Sequence, residues 1–105
     1  EAMEKDGASF SELRVDGGMV VNDWFSQQLS NVLNLAVLRP KVIETTALGA
    51  AYLASLNAGL CPDLESLSSR WSADKNFEPE KEEVADLDRR YKTWLSAVER
   101  TKGLF

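Results

Sequence analysis

The sequence predicts an α/β fold: a βαβ unit followed by three helices. Two short segments are typical of strands: residues 11–16, in which Leu13 and Val15 alternate with Arg14, and the apolar run at residues 35–38. Between them, in residues 19–33, apolar side chains recur every three or four positions, as on one face of a helix. Strands joined through a helix pair in parallel, and three more helical segments follow. The chain has 105 residues, of which 44% are hydrophobic, enough for one small domain or a piece of a larger one.

The first half of the chain alternates strands with helices. The polar segment Glu1–Ala8 is interpreted as the end of a helix followed by a turn, so we expect the chain to start partway through a larger domain. Strand one, Ser11–Asp16, ends in an acid and two glycines, and the helix Met19–Leu33 begins at once. We expect Asn34 to end that helix in the left-handed conformation, which asparagine tolerates.

Strand two, residues 35–38, is expected to end before Pro40, because proline cannot continue a central strand ladder. The next helix should begin at a cap formed by Thr45 or Thr46 and run to about residue 57. Its small side chains, four alanines and a glycine, predict close packing of this helix on the sheet.

The second half of the chain is predicted to be helical. A short helix begins at Pro62-Asp63, residues 72–77 form a loop, and Pro79 opens the last helix, which Gly103 ends. One stripe of this helix is expected to lie in the core: Val84, Leu87, Tyr91, Trp94, Leu95 and Val98.

Composition excludes several classes of function. The net charge of −5 and the isoelectric point near 4.7 argue against a nucleic-acid partner. No signal peptide or apolar run long enough for a membrane span is present, so a cytoplasmic location is expected. Cys61 is the single cysteine, and we expect it in the core. There is no histidine, so we expect no metal site and no histidine as a general base.

The junction between strand one and the first helix is the candidate ligand site. Gly17 and Gly18 let the backbone approach a ligand without a Cβ in the way, and they direct free N–H groups above the strand end. Asn22, on the first helical turn, carries an amide that can donate to and accept from a purine edge. The alternative is that the glycines only shape a tight turn and Asn22 is a polar surface residue.

Two further positions near this junction are interpreted as structural. Asp16 could hold Mg²⁺ or bridge to turn amides, and we favour the structural role. The pair Thr45-Thr46 could face a nucleotide, but a helix cap is the preferred interpretation. The cations Arg14, Arg39 and Lys41 do not group in the sequence into a phosphate clamp.

Several separated motifs occur in a recognisable order: DGG at 16–18, RP at 39–40, ETTALGAAYLA at 44–54, FEP at 77–79 and YKTW at 91–94. In this order the chain resembles the C-terminal domain of the FGGY carbohydrate kinases, from about Leu13 to Leu104. The resemblance implies a partial actin-like (ribonuclease H-like) ATPase domain. Residues 1–105 would be the C-terminal segment of the C-terminal, nucleotide-binding domain.

The resemblance also implies a function. Within the family the resemblance is greatest to the members that phosphorylate glycerol to glycerol 3-phosphate with ATP and Mg²⁺, leaving ADP. The residues that contact adenine nucleotide would be Gly18, Asn22 and, more weakly, Gly17. The base, metal site and glycerol site lie outside such a segment, so we expect the isolated chain to be inactive and to self-associate. A pentulose kinase of the same family and a non-enzymatic interaction module are the alternatives.

Overall fold

The computed structural model describes residues 1–104. A three-stranded sheet lies at the centre, with helices before, between and after its strands. The elements are α1 (Ala2–Lys5), β1 (Glu12–Arg14), a 3₁₀ turn (Gly18–Val21), α2 (Asp23–Leu33), β2 (Ala36–Pro40), α3 (Thr45–Asn57), α4 (Leu64–Ser68), β3 (Ala73–Phe77) and α5 (Lys81–Thr101).

The sheet has the order β1-β2-β3, with β2 in the middle. The pairing of β1 with β2 is parallel, which confirms the predicted βαβ unit. The loop predicted at residues 72–77 is wrong, because β3 occupies this stretch and pairs antiparallel with β2. Its three central residues are exposed and polar, so no alternating apolar pattern marks it, and the backbone ladder with β2 holds it in place.

The end of β2 also differs from the prediction. The strand continues through Arg39 to Pro40, which pairs with Ala73 across a shift in register. Proline is tolerated there because it is the last strand residue and lies at an irregularity of the ladder.

The predicted helix at residues 19–33 is divided in two. The 3₁₀ turn comes first, and α2 begins after Asn22, which is the N-cap residue and not part of the first helical turn. The Asn22 side-chain oxygen accepts a hydrogen bond from the Phe25 backbone N–H at 3.2 Å, which explains the break, since asparagine is among the best N-cap residues. Asn34 ends α2 with φ 52° and ψ 42°, as predicted.

The predicted threonine cap of α3 is wrong. Glu44 stands at the N-cap position and makes no side-chain capping bond. The far end agrees with the sequence, because Gly59 adopts a positive φ of 74° just beyond the helix. No residue of α3 is buried, so the close packing expected of its small side chains on the sheet is also absent.

The core is formed by the sheet, the 3₁₀ turn, α4 and the loop before it. Its buried apolar residues are Val20, Val37, Leu38, Cys61, Leu67 and Phe77. The prediction for Cys61 is therefore confirmed. The stripe of α5 expected in the core is largely exposed instead, with Tyr91 at 45% and Trp94 at 57%. α5 packs against α2, and its Tyr91 hydroxyl donates to the Glu1 carboxylate at 2.8 Å, but no residue of α5 is buried.

The chain is elongated. Its radius of gyration is 18.5 Å and its extents are 58 × 32 × 26 Å. A compact domain of this length has a radius of gyration of about 13 Å. Among the described residues, no helix is both long and apolar enough to cross a membrane.

Candidate functional site

The candidate site lies at the edge of the sheet where the two parallel strands end. Arg14, the last residue of β1, pairs with Leu38 of β2, so both strands run toward the same edge. The double glycine, the 3₁₀ turn and the start of α2 follow directly from β1 there. Open α/β sheets bind their ligands outside the carboxyl ends of their strands.

The backbone requires glycine at position 17 but not at position 18. Gly17 has φ 89°, and its N–H donates to the Ile43 carbonyl oxygen at 3.3 Å, so the backbone itself requires glycine. Gly18 has no such constraint and is exposed, and a Cβ placed on it would have no atom within 4 Å. A role limited to shaping the turn accounts for Gly17 but not for Gly18.

Asn22 is exposed and directly follows the turn that begins at Gly18, and its two amide atoms have different roles. The oxygen caps α2, which commits one acceptor position to the backbone. Its nitrogen makes no hydrogen bond within residues 1–104, so the N–H donors are available to a ligand. We therefore revise the expectation of a group that both donates and accepts: the side chain is chiefly a donor.

Asp16 and Thr45 tie the exit of β1 to the start of α3. The Thr45 hydroxyl donates to the Asp16 carboxylate over 2.5 Å, which is the use of this threonine in place of the predicted cap. The bond from Gly17 to Ile43 connects the same two segments. Asp16 thus makes a structural contact in this chain.

Arg39 is the residue that sequence reasoning missed. Its Nη1 donates to the carbonyl oxygens of Val20 and Val21 at 3.1 Å each and to Asp23 at 2.7 Å. On its other side, Nε and Nη2 donate to Asp74 at 3.2 and 2.9 Å. The motif Arg39-Pro40 predicts only the end of a strand, because the acidic partners of Arg39, Asp23 and Asp74, are 16 and 35 positions away in the chain.

The electrostatics of this cluster favour its charged state. Asp23 also accepts from Lys75 Nζ at 2.6 Å. The bonds from Lys75 and then Arg39 hold the pKa of Asp23 below its ordinary value. Asp23 and then Asp74 raise the pKa of Arg39, which outweighs the opposing effect of burial.

Arg14 makes its contacts away from this cluster. Arg14 contacts Glu12 at 3.3 Å, and its guanidinium lies 4.1 Å from the centre of the Trp71 ring. Within the described part of the chain, no three acidic, histidine or cysteine side chains converge as ligands for a metal ion.

Comparison with known proteins identifies the family. The model of the FGGY family of carbohydrate kinases, C-terminal domain, matches residues 1–58, more than half of the chain. The chain belongs to this family. It is 52% identical over 104 residues to a glycerol kinase of Ectopseudomonas mendocina, covering 98% of this chain and 21% of that protein. A glycerol kinase of a Marinomonas species is also 52% identical, over 101 residues, with 96% and 20% covered.

Solved structures of the family show the same fold. The chain superimposes on a xylulose kinase of Lactobacillus acidophilus with a TM-score of 0.77 at 22% identity, covering 89% of this chain and 19% of that one. A gluconate kinase of the same organism gives 0.80 at 22% identity, with 94% and 20% covered. The predicted actin-like ATPase fold is confirmed. This chain spans about a fifth of the length of the curated relatives that it matches.

Proposed function

We propose that this chain is the C-terminal segment, residues 1–105, of the nucleotide-binding domain of a glycerol kinase. The full enzyme would transfer the γ-phosphoryl group of ATP to glycerol and give glycerol 3-phosphate. The substrate is inferred from relatives named glycerol kinase, which are 52% identical over nearly the whole chain. A cytoplasmic location is proposed along with this activity.

The single observation that supports a nucleotide site is the open space at Gly18. This glycine has ordinary backbone angles and no neighbour that a side chain would meet, so the fold itself does not require it. A ligand lying flat against the backbone does require it. We propose that adenine nucleotide lies there, with Asn22 donating to a ring nitrogen and Gly17 holding the turn.

The rest of the chemistry is assigned to other parts of the enzyme. Phosphoryl transfer depends mostly on positioning and charge stabilisation, and Mg²⁺ accompanies the phosphates. The described residues bring together no carboxylate cluster for that metal ion. This segment would therefore supply one wall of the adenosine pocket, and alone it should have no kinase activity.

A chimera tests the proposal. In the Ectopseudomonas mendocina glycerol kinase, the matching fifth is replaced by this chain, and ADP formation that depends on glycerol is measured. We expect activity, and we expect Gly18→Val to raise the KM for ATP about tenfold while the KM for glycerol changes little. The control is Asn76→Val, an exposed position on β3 outside the turn.

Two substitutions at Asn22 separate its capping role from ligand binding. Asn22→Asp keeps an oxygen for the cap and loses the amide donors, so it should preserve the melting temperature and still raise the KM for ATP. Asn22→Ala loses both, at a cost on the order of 1–3 kcal/mol in nucleotide binding if a buried partner is left unpaired. A folded but inactive chimera, or an unchanged KM for ATP in Gly18→Val, contradicts the proposal.

A further inference from the structure

The turn that carries the candidate nucleotide residues is held mainly through its carbonyl groups. Of its four residues only Val20 is buried, while Met19 and Val21 are exposed at 68% and 58%. The carbonyl oxygens of Val20 and Val21 both accept from Arg39. The Ser26 hydroxyl gives Val20 a second bond, at 3.1 Å.

We propose that Arg39 is a positioning residue that fixes the conformation of this turn and thereby sets the affinity for adenine nucleotide. The inference rests on the proposed function, because it assumes that the ligand lies against Gly18. It assigns a role to a side chain that would not touch the ligand. The turn begins at Gly18 and Asn22 follows it directly, so a change in its shape displaces both residues.

The shape of the guanidinium group explains why arginine suits this task. One edge of its planar fork serves two carbonyl groups and Asp23, while the opposite edge serves Asp74. The group is only 12% exposed and lies 5.5 Å from the centre of the Phe77 ring. A lysine ammonium is a point charge on a flexible stem and cannot hold both edges at once.

The partners of Arg39 connect the turn to the central sheet and to the start of α2. Arg39 is on β2, the middle strand, and Asp74 and Lys75 are on β3. Asp23 is the first residue of α2 and is shared between Arg39 and Lys75. The exposed polar strand β3 therefore supplies the charged side chains that orient Arg39 and the start of α2.

The decisive substitution is Arg39→Lys, measured in two ways. In this chain, amide hydrogen exchange across residues 18–22 should become about tenfold faster, because hydrogen bonds to a charged group are lost. In the chimera described above, the KM for ATP should rise about tenfold, while kcat and the KM for glycerol stay within about twofold. Asp74→Asn keeps Arg39 but weakens its orientation, and it should change the same two quantities less.

The matched control is Arg14→Lys. Arg14 is also a strand arginine with an acidic partner and an aromatic neighbour, but it makes no bond to the turn. It should leave the exchange of residues 18–22 and the KM for ATP unchanged.

The possible failures are distinguishable. If Gly18→Val raises the KM for ATP and Arg39→Lys does not, the inference is overturned and the proposed function stands. If neither variant changes that constant, the proposed function itself fails. If Arg39→Lys and Asp74→Asn lower kcat and raise the KM for ATP and the KM for glycerol equally, Arg39 does not position the turn. The same conclusion follows if the amide exchange rates of residues 18–22 are unchanged.

Discussion

Two regions of the molecule differ in how far their side chains are buried. One is the edge of the sheet around the 3₁₀ turn, and the other is the outer faces of α3 and α5. At the edge, Arg39 is 12% exposed, and its donors bind carbonyl and carboxylate oxygens of the same chain. On α5, Trp94 is 57% exposed, and on α3, Leu53 is 67% exposed. A charged side chain is thus more buried than a tryptophan, because Arg39 finds its partners within this chain and much of the Trp94 surface finds none among the described residues.

The apolar surfaces have the character of faces that are normally covered. Helices that are apolar all round are usually buried, yet α3 buries no residue. An open groove of about 940 Å³ lies between α1, α2 and α5, and its lining includes Met3, Val32, Tyr91 and Trp94. Exposed apolar areas of this kind commonly mark contacts with another part of a protein or another copy.

The largest effect expected is on the association state. Because these faces are open, we predict that the chain self-associates at roughly tens of micromolar, and that Trp94→Glu shifts it toward the monomer. Sedimentation equilibrium measures the mass of both proteins. A clean monomer with cooperative unfolding would contradict the expectation that this segment depends on further contacts.

Truncating one aromatic residue from each region sharpens the comparison. Phe77→Ala removes a ring that is 4% exposed and should lower the free energy of unfolding by about 3–5 kcal/mol. Trp94→Ala should cost far less in the monomer, since most of its ring already contacts solvent. Urea unfolding followed by circular dichroism compares the two. Equal losses would show that the α5 face is as well packed as the sheet.

Alanine substitutions at the two adjacent glycines should have smaller effects on stability, and the two effects should differ. Gly17→Ala forces a side chain into a positive φ and should cost about 1–2 kcal/mol. Gly18→Ala meets no neighbour at an ordinary φ and should leave the stability nearly unchanged. Thermal unfolding of both variants measures the difference, and the reverse order of stability would contradict the backbone argument.

The smallest effect expected is on the pH dependence of stability. The pKa of Asp23 is lowered in the folded chain, so its contribution is complete above the ordinary aspartate pKa of 3.8 and is lost as the pH falls through the lowered value. The Asp23→Asn variant should therefore show a weaker loss of stability below about pH 4. Urea midpoints at neutral and acidic pH measure it, with Asp88→Asn on α5 as the control. High salt should reduce the difference, because the side chains of Asp23 and Lys75 are about half exposed to solvent.

Much of the candidate site could be predicted from the sequence because it depends on local conformation. The backbone freedom of Gly17 and Gly18 predicts a close turn after a strand, and their place after β1 is confirmed. The capping role of Asn22 is not predicted by the helical period, since that period does not reveal a 3₁₀ turn before the start of α2. Arg39 could not be assigned, because its bonds to Asp74 cross 35 positions of sequence.

The sequence by itself determined the parallel βαβ unit, the left-handed end of α2 at Asn34 and the family motifs. The spacing of hydrophobic residues and the backbone preferences of glycine and asparagine act over a few residues. Their structural consequences can therefore be predicted from the sequence alone. The tertiary structure alone decided that β3 is a strand, that Arg39 holds the turn and that the α5 stripe is exposed. Strand pairing, ion pairing and burial depend on which distant segments meet, and no local pattern contains that information.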